Sequence, residues 1–139
     1  MWIDDVGCVK HMRTALLVIG LCLLALALNG YASVPSEAKV IELDQSVTDF
    51  APGAYYKVDV STPGTLAVVL EQLPAAMKTR IIILDEADNS LADKITDIQG
   101  QKVTVEAKVD APGWYYIEVM DLNGKSWPDP YAFRVTLVQ

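Results

Sequence analysis

The chain has 139 residues, 52% of them apolar, and a net charge of −7 from 18 acidic and 11 basic side chains. A length of this order holds one domain, and the negative charge repels phosphate backbones and anionic headgroups, which argues against nucleic acid and lipid surfaces as partners. Both cysteines (Cys8, Cys22) and the only histidine (His11) fall before residue 33, so the remainder cannot build Ser-His-Asp or Cys-His nucleophilic sites or a conventional zinc site.

The first element is an apolar run of 14 residues, Ala15 to Leu28, preceded by Lys10 and Arg13 and followed by Asn29-Gly30-Tyr31-Ala32-Ser33. A basic start, an apolar centre and small residues before a cut are the marks of a secretory signal peptide, so residues 1–32 are read as a cleaved leader. Met12-Arg13 makes a better leader start than the acidic MWIDDVGCVKH that precedes it, and translation from Met12 is the alternative start. The run is short of the roughly 20 residues a membrane span requires. A lipid anchor on Cys22 would want a small residue before it, and Leu21 stands there. Cleavage after Ala32 leaves 107 residues that carry the whole −7 charge, no cysteine and no histidine. The expected location is the periplasm or the cell exterior, with no membrane association once the leader is gone.

Residues 33–38 are read as a short flexible lead-in and residues 39–139 as the folded domain. From Lys39 onward side chains alternate with period two, as in strands with one wet face. The alternation covers residues 41–44, 56–60, 103–109, 115–119 and 131–137. Leu66-Ala67-Val68-Val69-Leu70 and Ile81-Ile82-Ile83-Leu84 are instead continuously apolar, as expected of strands central to a sheet. Turns fall at Ala51-Pro52-Gly53, Thr62-Pro63-Gly64, Asp85-Glu86-Ala87-Asp88-Asn89-Ser90, Ala111-Pro112-Gly113 and Asn123-Gly124. About eight strands so punctuated predict an all-β fold, an antiparallel two-sheet sandwich of jelly-roll type. Ala51-Pro52-Gly53-Ala54-Tyr55-Tyr56 recurs sixty residues later as Ala111-Pro112-Gly113-Trp114-Tyr115-Tyr116, which suggests related positions in the two sheets.

The order of these features resembles the bacterial pre-peptidase C-terminal domain, a jelly-roll-like sandwich attached to many secreted peptidases and other exported proteins. The resemblance is carried by the strand Ala54 to Val60, the Pro-Gly turn into Thr65 to Leu70, Ile81 to Asp85 with its polar turn, Val109 to Val119, and the closing strand Tyr131 to Val138. It implies a non-catalytic accessory or binding module. Lys78-Thr79-Arg80 stand where the family often has an acidic approach to the apolar strand.

Two clusters are candidate sites. Asp85, Glu86, Asp88 and Asn89 crowd one turn and offer hard oxygen ligands of the kind calcium takes, without the spacing of an EF-hand loop. Trp127-Pro128-Asp129-Pro130-Tyr131 is a proline-stiffened loop whose Trp127 and Tyr131, beside Asp129, could stack a sugar ring or grip a peptide. Trp114 and Tyr115, on successive strand positions, must face opposite sides, one core and one surface. Ser36-Glu37-Ala38-Lys39 has a Ser-x-x-Lys spacing with neither companion motif, and is read as chance. The expectation is a monomeric binding module for a protein or glycan at the cell surface. A carbohydrate-binding module using the loop aromatics, or a structural subunit of a surface assembly, are the alternatives.

Overall fold

The structure, a computed structural model, describes residues 37–139. The leader with its Met12 start, and residues 33–36 of the lead-in, lie outside the described residues. Nine strands follow in order: β1 (Lys39–Ile41), β2 (Ser46–Asp49), β3 (Gly53–Val60), β4 (Gly64–Gln72), β5 (Thr79–Leu84), β6 (Ser90–Thr96), β7 (Thr104–Val109), β8 (Gly113–Asp121) and β9 (Tyr131–Val138). They form a five-stranded sheet, β1-β3-β8-β5-β6, and a four-stranded sheet, β2-β9-β4-β7. All pairings are antiparallel except β1 with β3.

The two continuously apolar segments occupy interior positions, β4 between β9 and β7 and β5 between β8 and β6. Two strands went unseen in the sequence. The alternation over 41–44 is broken because Asp44 takes a left-handed conformation, φ 63°, which an aspartate tolerates better than most residues. The chain therefore stops pairing at Ile41 and starts again as β2 on the other sheet. β6, the other addition, is an edge strand exposed over most of its length, so it shows no apolar face.

The repeated Pro-Gly segment requires a correction. β3 and β8 do not lie in different sheets; they pair with each other, Gly53 opposite Met120 and Val60 opposite Gly113. The aligned residues Tyr55 and Tyr115 also differ in direction, Tyr55 half-exposed and Tyr115 buried in the core. The echo is thus two turns capping opposite ends of one ribbon. Gly53 is required there: its φ is 141°, and a Cβ would lie 2.3 Å from the Val119 carbonyl oxygen and 2.7 Å from the Met120 Cα. Neither backbone atom can move aside cheaply.

Inward side chains of both sheets make the core, with Tyr56, Leu66, Met77, Ile81, Ile83, Ile117, Tyr131 and Phe133 fully enclosed. Each such side chain contributes about 1.5–3 kcal/mol by leaving water. Phe133 meets Tyr56 edge-on, centroids 4.8 Å apart at 63°, the geometry ring quadrupoles favour. A polar clasp crosses this core. The Tyr56 hydroxyl on β3 donates to Asp49 Oδ2 on β2 at 2.8 Å and lies 2.5 Å from the Tyr131 hydroxyl on β9. Tyr56 has one proton, already given to Asp49, so Tyr131 donates to Tyr56. Lys39 on β1 completes the chain with an ion pair to Asp49. Burial alone would raise the Asp49 pKa, but Lys39, the Phe50 amide and the Tyr56 hydroxyl outweigh it and hold the carboxyl below the ordinary range. The same burial pushes Tyr131 up to about 12. Both tyrosines stay neutral at any ordinary pH and tie the two sheets together.

Candidate functional site

Alternation along β8 sends Tyr115, Ile117 and Val119 into the core and Trp114, Tyr116, Glu118 and Met120 to the outer face of the five-stranded sheet. The ladder sets their neighbours. On β3, Tyr55 lies opposite Glu118 and Lys57 opposite Tyr116; on β5, Ile82 lies opposite Glu118 and Arg80 opposite Met120. The result is a strip about 20 Å long, six steps of roughly 3.3 Å from Trp114 to Met120, rich in aromatic and aliphatic side chains. All of the apolar members are partly buried, with an edge or face open to water.

Polar groups on this strip are arranged among the rings. Glu118 is only 8% exposed and lies opposite Tyr55 across the ladder; burial and this neighbouring carboxylate both raise the Tyr55 pKa. Arg80 makes a two-pronged ion pair with Asp93 on β6, Nε to Oδ1 at 3.0 Å and Nη2 to Oδ2 at 2.6 Å. The Lys57 ammonium sits 5.2 Å from the centre of the Trp114 ring, within cation–π range. A shallow groove marks each end of the strip. One, of about 260 Å³, is lined by Trp114, the Ala111-Pro112-Gly113 turn and Asp85 to Ala87. The other, of about 160 Å³, is lined by Tyr55, Glu118, Met120 and the Pro52-Gly53-Ala54 turn.

The turn carrying Asp85, Glu86, Asp88 and Asn89 therefore borders the first groove, but its acids do not converge on one point. Asp85 Oδ1 accepts from the amides of Ala87 and Asn89, each at 2.9 Å, and Oδ2 from the Asn89 side chain at 2.8 Å. The Asn89 side chain, aided by those two backbone amides, holds the Asp85 pKa below the usual carboxylate range. Asp88 carries the left-handed turn position, φ 66°. Among the described residues no group of three or more His, Cys, Asp or Glu side chains is placed to hold a metal ion. Asp85 and Asn89 are thus bonded to each other within their own turn.

The Trp127 loop lies at the far end of β8. Trp127 is half-buried against the core, and its indole N–H donates to Asp121 Oδ1 at 3.1 Å. Asp121, 2% exposed, also accepts from the amides of Asn123 and Lys125 at 2.9 Å. Burial would raise this carboxyl, yet the Lys125 amide, the Trp127 indole and the Asn123 amide together hold it below its ordinary pKa. Trp127 thus caps one end of the sandwich. Tyr131 is fully enclosed, with its hydroxyl in the clasp, so it presents no ring face to a ligand, while Asp129 stands exposed by itself. The three residues do not form one surface.

Trp114 and its strip were missed as a site, although the signal was present: of Trp114 and Tyr115 one had to face outward. Tyr115 is the inward one, its hydroxyl donating to the Ala111 carbonyl at 2.7 Å.

No protein-family model matches the sequence. No curated protein matches it either. Among solved structures, the pre-peptidase C-terminal domain of a collagenase from Bacillus anthracis matches with a TM-score of 0.55 at 20% identity, covering 75% of this chain and 99% of that one. A β-glucosidase from Paenibacillus barengoltzii matches with a TM-score of 0.41 at 17% identity, over 74% of this chain and 12% of that one. At 20% identity the first likeness is one of fold, and in fold this chain is a two-sheet sandwich like a pre-peptidase C-terminal domain.

Proposed function

We propose that this chain is an exported, non-catalytic accessory module that engages a protein or glycan at the cell surface or in the periplasm through the outer face of its five-stranded sheet. The observation that carries the reading is the strip itself. In a sandwich the outer faces meet water, and alternation ordinarily fills them with polar side chains. Here Trp114, Tyr116, Tyr55, Ile82 and Met120 occupy that side. Their partly open rings and side chains form one contiguous apolar band, and such surface marks interaction sites, with aromatic side chains as the usual anchors. The secretory leader supports an exported location, and the absence of His and Cys beyond residue 32 supports a binding rather than a catalytic role.

The test has two parts. Fractionation of cells making the full-length chain is expected to yield an exported form whose N-terminus is Ser33; a chain confined to the cytosol with its first residues intact sinks the location. Cross-linking in the same cells is expected to trap a partner on the native protein that Trp114→Ala and Tyr116→Ser together lose, and equal trapping by that double variant sinks the face.

A further inference from the structure

We infer that the strip is a receptor for an extended cationic peptide with two Lys or Arg side chains four residues apart, one in each end groove. This rests on the binding-module reading above and names its ligand class. Each groove pairs an aromatic ring with a glutamate: Trp114 with Glu86 in one, Tyr55 with Glu118 in the other. A ring face and a carboxylate together are the complement of an ammonium or guanidinium group. The strip already displays the interaction, since Lys57 rests its ammonium over Trp114. Charge favours the same class, because the chain is at −7 and the other cation of the strip, Arg80, is held by Asp93.

Spacing then fixes the ligand. Trp114 and Glu118 are four residues apart on one strand, about 13 Å at roughly 3.3 Å per residue. An extended peptide lying along β8 repeats that distance between its own residues i and i+4, which also point to the same side. Its intervening side chains would cross Tyr116 and Ile82. A neutral glycan could stack on the rings but would bring no charge to the two glutamates.

The experiment is fluorescence anisotropy on the full-length chain with three labelled octapeptides of threonine and glycine. The first carries lysines at positions 3 and 7, the second lysines at 3 and 5, and the third glutamates at 3 and 7. The first is expected to bind tightest and to weaken with added salt. Trp114→Phe and Glu118→Gln, both close in shape to the native residues, are each expected to weaken it about fivefold, within the range of a single cation–π or charge-assisted contact. Lys57→Ala, which removes the resident cation, is expected to tighten it. Equal binding of the glutamate peptide, or unchanged affinity in both Trp114→Phe and Glu118→Gln, overturns the inference. Binding of a chitin or cellulose tetrasaccharide with no binding of the lysine peptides also overturns it, while leaving the binding-module reading standing. Tyr56→Phe, whose side chain faces the core on the opposite side of β3, controls for loss of affinity through lost stability.

Discussion

Removing the two hydroxyls of the core clasp one at a time should produce unequal losses of stability, and the direction of the protons says which is larger. Tyr131 donates to Tyr56, and Tyr56 donates to Asp49. Tyr131→Phe therefore removes one donor to Tyr56, whose own proton remains bonded to Asp49. That is one ordinary hydrogen bond, about 1 kcal/mol. Tyr56→Phe leaves the fully buried Tyr131 hydroxyl without an acceptor and takes a donor from the Asp49 carboxylate. An unsatisfied buried group costs about 1–3 kcal/mol and a bond to a charged group about 1.5–3 kcal/mol, so a total near 3 kcal/mol is expected after partial relaxation. In the double variant no hydroxyl is left stranded, and its loss should fall short of the sum of the single losses by about 1 kcal/mol. Urea unfolding followed by circular dichroism measures all three, and a thermal scan should show about 4–8 °C per kcal/mol for a domain of this size. If Tyr131→Phe costs more than Tyr56→Phe, or the two add strictly, the proton order in the clasp is wrong.

Acid should weaken the fold through the same clasp. The folded-state pKa of Asp49 is depressed, so its contribution is present above the unfolded value of about 3.9 and is lost as pH falls through the lower folded value; Asp49→Asn should flatten the decline of stability below pH 4. Asp121→Ala, which frees the Trp127 indole and two turn amides, should cost about 2–4 kcal/mol and shift tryptophan emission to the red. Gly53→Ala should prevent folding or cost more than about 3 kcal/mol because its Cβ meets backbone, whereas Gly124→Ala, at φ 66° with nothing within 4 Å, should cost only about 1 kcal/mol. Melting temperatures in chelator and in millimolar calcium should agree, since Asp85 has both oxygens engaged within its own turn; a rise of several degrees with calcium would refute that account.

Most of the sandwich could be read from residues whose burial is one-sided or complete. β4 and β5 announced themselves as interior strands by having no polar face, and β7 by strict alternation from Thr104 to Val109. β6 was illegible for the opposite reason: Ser90 to Thr96 lies at an edge with most side chains in water, so burial imposed no pattern. The parallel pairing of β1 was invisible because three residues carry too little sequence to specify a partner. In the candidate sites the difficulty was direction. Trp127 looked like a loop aromatic, and its bond to Asp121, six residues back, turns its ring against the core; Tyr131 stood both at the end of that loop and at the start of an alternating strand, and its long-range meeting with Tyr56 places its ring inward. Trp114 was ambiguous until its neighbour Tyr115 took the core position.

The rims of the two sheets have a consequence for how this protein behaves when crowded. On one side the outermost strands, β1 and β2, have three and four residues, too few to template an added chain. On the other, β6 carries Asp93 and Lys94 and β7 carries Glu106 and Lys108, and such charges disfavour edge-to-edge joining. Open hydrogen-bonding borders are what seed runaway polymers of β proteins, and the four outermost strands here are each short or charged. Such edges lower the risk that copies zip into fibrils along their rims while the partly apolar outer face of the five-stranded sheet stays uncovered.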